Sequence, residues 1–102
     1  MLTLGELTLS HFVPHLGSTF SRSEQGAPDV GLVLNSATSL AGRHAGEDSR
    51  REPFSLVFTG PRDVCLPQSI HPLRHPDIGL LDIFLVPIGI DAAGRRYEAI
   101  FS

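Results

Sequence analysis

The sequence predicts a mostly-β domain, a small antiparallel barrel or sandwich of about six short strands behind a short N-terminal helix. Three observations carry this. Apolar residues recur at every second position over short runs, as Phe54, Leu56 and Phe58 do. Turn-forming groups of Gly, Pro and Asp punctuate the chain roughly every 8–12 residues. Neither an internal repeat nor a heptad pattern is present.

The elements follow in order. Thr3-Leu4-Gly5-Glu6 fits a capping box, with Ser10 as a second helix start. Leu9, Phe12, Val13 and Leu16 have helical spacing, but Pro14 disfavours a continuous helix. One or two turns are expected between about Leu4 and Leu16, ending near Gly17. Thr19 to Arg22 reads as a strand, residues 23–29 as a turn, and Val30 to Ala37 as a second strand with Val30, Leu32 and Leu34 on one face. Residues 41–52 hold no large apolar side chain and read as an exposed loop.

Pro53 to Thr59 is a third strand, followed by a turn at Gly60-Pro61-Arg62-Asp63. Val64-Cys65-Leu66 is expected to resume as a strand until Pro67, and Ile70 to Arg74 as another, kinked at Pro72. After a turn at His75 to Gly79, Leu80-Leu81-Asp82-Ile83-Phe84-Leu85-Val86 is apolar on both faces, which predicts a central strand covered on two sides. Asp91 to Gly94 reads as a hairpin loop with Gly94 at positive φ, and Arg95 to Phe101 as the returning strand. The expected core is Phe54, Leu56, Phe58, Ile83, Phe84, Leu85, Tyr97 and Phe101. In that arrangement Phe84→Ala costs about 3–5 kcal/mol.

The chain has 102 residues, which fits a single domain, with residues 1–17 as a helical lead-in and 18–102 as the β domain. The net charge is −3 and all eight basic residues are Arg. That balance argues against nucleic-acid binding, which needs a basic stripe to neutralise phosphates. Cys65 is the sole cysteine, so no internal disulfide forms. The N-terminus shows neither the basic nor the long apolar region of a secretory signal, and no apolar run approaches the ~20 residues needed to span a bilayer. A cytoplasmic location is the default, with assembly into a larger extracellular particle left open; no membrane partner is expected.

Candidate sites are sparse. His11 and His15 are four apart, but Pro14 spoils the helix that would align them. His71 and His75 are also four apart on an extended segment, where they stand ~13 Å from each other, too far to share one metal. Only convergence of separate segments can build a metal site, and none is assigned. Cys65, between Val64 and Leu66, reads as a small core residue rather than a nucleophile. Asp82 interrupts an apolar strand; buried, it needs Arg74 or Arg96 as a partner, and otherwise it sits in solvent. Phe54, Phe58, Phe84 and Phe101 lack the interleaved basic residues of a base-stacking platform. No phosphate loop, nucleophile elbow or paired Cys-x-x-Cys occurs. No catalytic residue and no cofactor is assigned.

Several segments carry a resemblance across nearly the whole chain: Phe12 through Leu16-Gly17-Ser18-Thr19-Phe20, Phe54 through Gly60-Pro61, His75-Pro76-Asp77-Ile78-Gly79, Asp82 through Gly89, and Tyr97 through Phe101. Together they resemble an uncharacterised family of bacterial proteins of about 100 residues, a domain of unknown function. The resemblance implies an accessory role beside phage-tail-collar-like fibre proteins.

Two functions remain. The first is a non-enzymatic β-module for protein–protein interaction or homo-oligomeric assembly, engaged through open strand edges. The second is a small-molecule or metal-binding domain with a weak hydrolytic site, built from His71, Arg74, His75 and Asp82. Replacing residues 42–51 with a short Gly/Ser linker is expected to leave the domain folded, because loop length adds little closure entropy. Loss of the native circular dichroism spectrum would show instead that this segment packs.

Overall fold

The computed structural model describes residues 7–23, 26, 29–40 and 53–101. Six antiparallel strands form a closed barrel in the order β1-β2-β3-β6-β5-β4. The strands are β1 (Thr19–Arg22), β2 (Val30–Ser39), β3 (Phe54–Gly60), β4 (Ser69–His75), β5 (Gly79–Asp91) and β6 (Gly94–Phe101). A single helical turn, α1 (Leu9–Phe12), runs into a 3-10 turn at Val13–His15, where Pro14 ends the α geometry. The predicted mostly-β class and N-terminal helix are thus present.

Within the described residues the helix begins at Leu9. Thr8 is its N-cap, and its N–H donates to Nδ1 of His11 at 2.9 Å, so a histidine takes the place of the usual capping glutamate. The Thr3–Glu6 capping box, the 41–52 loop and most of the 23–29 turn lie outside the described residues. Gly17, at φ 86°, turns the chain from helix to strand, as a C-terminal glycine does. Its N–H donates to the Leu34 carbonyl at 2.8 Å, and the Leu34 N–H returns a bond to Ser18 at 3.0 Å.

Alternation fills the barrel. Phe20, Leu32, Leu34, Phe54, Leu56, Phe58, Leu73, Leu81, Ile83, Leu85, Tyr97 and Ala99 all point inward and are buried. The helical end closes over this column, with the Phe12 ring 5.8 Å from Phe54 and 5.6 Å from Phe101, and those two stacked at 4.7 Å. Nearby, the Leu40 N–H donates to the Pro53 carbonyl at 2.8 Å. At the far end, Leu66 is buried beneath the β3–β4 connection.

The β5–β6 hairpin forms where predicted. Asp91 accepts the N–H groups of Ala93 and Gly94 and pairs with Arg96. These bonds, the Ala93 one foremost and then that of Arg96, hold its carboxyl below the ordinary range. Gly94 has φ +144°, and a Cβ there would stand 2.1 Å from the Gly60 carbonyl oxygen, so the close approach of β3 requires glycine.

Three expectations are corrected. Phe84 is 50% exposed and is not in the core. Direct cross-strand partners share a face, and the pairs Leu73↔Leu81 and His71↔Ile83 fix the inward phase on Leu81, Ile83 and Leu85. The barrel has one interior, so β5 is covered on one side only. Residues 64–66 form no strand, and Cys65 is exposed. The Tyr97 hydroxyl accepts the Leu66 N–H at 3.0 Å and donates to the Val64 carbonyl at 3.3 Å, using backbone groups that a ladder would need. Finally, the open edges expected to recruit partners are closed by β1 pairing with β4.

The corrected phase gives a direct test. Leu85→Ala should cost about 2–5 kcal/mol by emptying part of the core. Phe84→Ala should cost under about 1 kcal/mol, because its ring is half in solvent. Urea denaturation of both variants measures the difference, and a larger loss from Phe84→Ala would reverse the assignment.

Candidate functional site

His75 is the last residue of β4 and points inward, only 4% exposed. Its pairing with Gly79 closes the tight turn that carries Pro76, Asp77 and Ile78. This turn brings the Asp77 N–H to within 3.1 Å of His75 Nδ1, to which it donates. Nδ1 therefore carries the lone pair, and the ring proton sits on Nε2. Nε2 lies 3.0 Å from the Ser18 hydroxyl, which in turn donates to the His15 carbonyl at 2.6 Å. The three bonds are mutually consistent for one neutral tautomer.

The ring is also enclosed by other rings. His15 stands 4.5 Å from it and Phe20 4.6 Å, centroid to centroid. Phe20 meets Phe58 edge-on at 5.4 Å, which joins this layer to the core. Burial pushes the pKa of His75 down, the nearby His15 adds to that, and Asp77 opposes it. Nδ1 of His15 lies 3.9 Å from the Asp77 carboxylate. One ligand-type atom from each of His15, His75 and Asp77 falls within 4.8 Å of the others.

Local sequence explains how His15 reaches this place. Pro14 tightens the helix end into a 3-10 turn, and Gly17 reverses the chain. The Ser18 N–H donates to the His15 carbonyl at 3.0 Å, and the paired bonds to Leu34 clamp the segment onto β2. Barrel closure then lays β1 beside β4, through Ser21↔Arg74 and Arg22↔Leu73.

The residues singled out from sequence do not gather at one point. His71 is inward and buried, its Nε2–H donating to the Pro67 carbonyl at 2.8 Å. Arg74 and Asp82 lie on the outer face, across from Leu80 and Pro72 respectively. Asp82 is exposed, so it needs no buried partner. The sheet separates the two histidines from the two charged groups. Only His75 among them joins a cluster; from sequence, His15 pairs with His11 rather than with His75, and Asp77 is not singled out. His75-Pro76-Asp77 was the readable local signal, since a tight turn at proline brings positions two apart together. The approach of His15 depends on closure, which leaves no local trace.

An open groove beside β2 and β3 is lined by Gly31, Val33, Asn35, Thr59, Gly60, Pro61 and Ala93. No histidine, carboxylate or cysteine lines it.

The fold and this cluster define a small six-stranded antiparallel barrel with a histidine–aspartate group at its helical end. Residues 7–101 match the model of DUF6916, a domain of unknown function, and the chain belongs to that family. Neither the curated proteins nor the solved structures hold a match to it.

The His75 assignment predicts a pH dependence. A lowered native pKa means the unfolded chain binds more protons, so stability rises with pH across the transition. Stability should be full above about pH 6.5 and fall progressively as pH drops through and below that value. Melting temperatures between about pH 8 and 5, compared with a His75→Gln variant, check this; an equally steep decline in the variant would remove His75 as the cause.

Proposed function

We propose that this protein is a non-enzymatic β-barrel module that docks onto another protein through the outer face of β4 and β5. The observation that carries the reading is one cross-strand pair. Ile70 and Phe84 lie directly opposite each other, at 63% and 50% exposure. Leu80 adds apolar surface on the same face of β5, and Ile88 and Ile90 extend exposed apolar surface along the strand. Exposed Leu or Ile residues scattered singly are ordinary, but a facing Ile–Phe pair on one ladder is a contiguous patch.

Charged groups flank it on one side, with Asp82 between Phe84 and Leu80 and Arg74 opposite Leu80. Arg74 and Asp82 are exposed on the same two strands. An apolar centre with a charged rim is the usual anatomy of a specific protein interface, with the aromatic as its anchor. Closure of the barrel favours this face over backbone pairing, because a closed ladder offers few free donors and acceptors. The interior is filled by side chains, which favours a binding surface over an enclosed substrate pocket.

The finer reading is an accessory subunit of a bacterial tail-like or surface fibre. It rests on the resemblance described from the sequence and on the patch, since fibre assembly needs repeated apolar contacts between neighbours.

Phe84→Arg tests the reading, because a charge on an exposed position leaves the core intact. Tagged wild type and variant are used to capture partners from the organism's own extract, with sedimentation velocity to detect self-association. A stoichiometric partner, or a dimer, present with wild type and lost with Phe84→Arg is the expected result. Identical behaviour of the two proteins would count against the outer face as the interface.

A further inference from the structure

We propose that His15, His75 and Asp77 form a binding site for a divalent transition-metal ion of the zinc class. Two imidazoles and one carboxylate are a borderline donor set that suits zinc, cobalt, nickel or ferrous iron over calcium or magnesium. Their candidate ligand atoms already lie within 4.8 Å of one another. Bond lengths near 2.0–2.1 Å place tetrahedral donors about 3.3 Å apart, so the group must close by about 1.5 Å. The Asp77 side chain is 72% exposed against 21% for His15, so the carboxylate has more room than His15 to adjust.

His75 is prepared as a ligand. Its Nε2–H faces the Ser18 hydroxyl, and that hydroxyl is anchored on the His15 carbonyl. Metal-bound histidines almost always hold their second nitrogen in this way, which fixes the tautomer and the ring direction. Nδ1 carries the lone pair, and its present partner is the Asp77 N–H at 3.1 Å. A metal ion replaces that one bond, while the exposed turn offers the N–H to water.

The backbone on both sides is fixed. His15 is held by the Ser18 and Gly17 bonds, and His75 by its pairing with Gly79. Three protein ligands leave a coordination position toward solvent on the Asp77 side, which water would fill. The ion would join the N-terminal 3-10 turn to the β4–β5 turn, and so fasten the helical lead-in to the barrel. This inference is independent of the β4–β5 interface, and either can fail alone.

The test uses the whole chain, stripped with chelator and titrated with zinc by calorimetry and with cobalt by visible absorption. One ion per chain, with cobalt d–d bands of low coordination number, is expected. His15→Ala and Asp77→Asn should each weaken binding about 10–100-fold. His11→Ala, whose ring engages Thr8 instead, should leave it unchanged. Absence of stoichiometric binding, or binding undiminished in the His15→Ala/Asp77→Asn double variant, would overturn the proposal. If a variant fails to fold, imidazole 15N shifts of the wild-type chain decide: movement at Nδ1 of His75 and on the His15 ring on adding zinc supports the site, and unmoved signals refute it.

Discussion

Two residue pairs, Ser21 with Arg74 and Arg22 with Leu73, turn a six-stranded sheet into a barrel. Much else in the structure depends on that short seam. It removes the edges that a flat sheet of these strands would expose. It also creates a single interior, toward which each strand turns one face. Without the seam, β1 and β4 would lie at opposite edges of the sheet. Phe20 would then leave His75, and the layer of rings from His15 to Phe58 would come apart.

A seam of this length needs support from the ends. At the helical end, Phe12, Phe54 and Phe101 form a three-ring plug between the lead-in, the start of β3 and the end of β6. Aromatic pairs of this kind contribute about 0.5–1.5 kcal/mol each beyond the area they bury. At the other end, Tyr97 ties the β3–β4 connection to β6 through two backbone bonds. Leu66 then drops into the core as a lid. The barrel is thus closed laterally by few hydrogen bonds and axially by large side chains. The axial contacts are the ones that need particular residues at particular positions.

That division explains what the sequence disclosed. β2 and β3 were legible because their apolar positions fall on one face: Val30, Leu32 and Leu34, then Phe54, Leu56 and Phe58. The β5–β6 turn was legible because Gly94 and Asp91 have local reasons to be there. β5 itself was found, but its phase was not. Leu80 and Leu81, or Ile83 and Phe84, are interchangeable by hydrophobicity, and only pairing with β4 chooses between them. Cys65 was misplaced for a related reason. Its neighbours are apolar, but a tyrosine distant in sequence takes their backbone groups. Of the site, His75 was read as a candidate, whereas His15 needed the closure to be known first.

Both functional proposals rest on positions where the fold alone would ask for something else. The end of β4 is an inward position beside Phe20, and a leucine there would fill space without needing hydrogen bonds. His75 instead requires Ser18, the Asp77 N–H and a tilted His15 ring beside it to be tolerated, and its burial lowers its pKa. The outward pair at Ile70 and Phe84 departs in the opposite sense. Threonine or a charged residue would serve the ladder as well and keep the surface soluble. Sequence usually agrees with fold at every level, and the exceptions concentrate where function imposes its own demand. Here the exceptions are a polar group kept inside and an aromatic kept outside. The first is where an ion is proposed to bind, and the second is where a partner is proposed to dock.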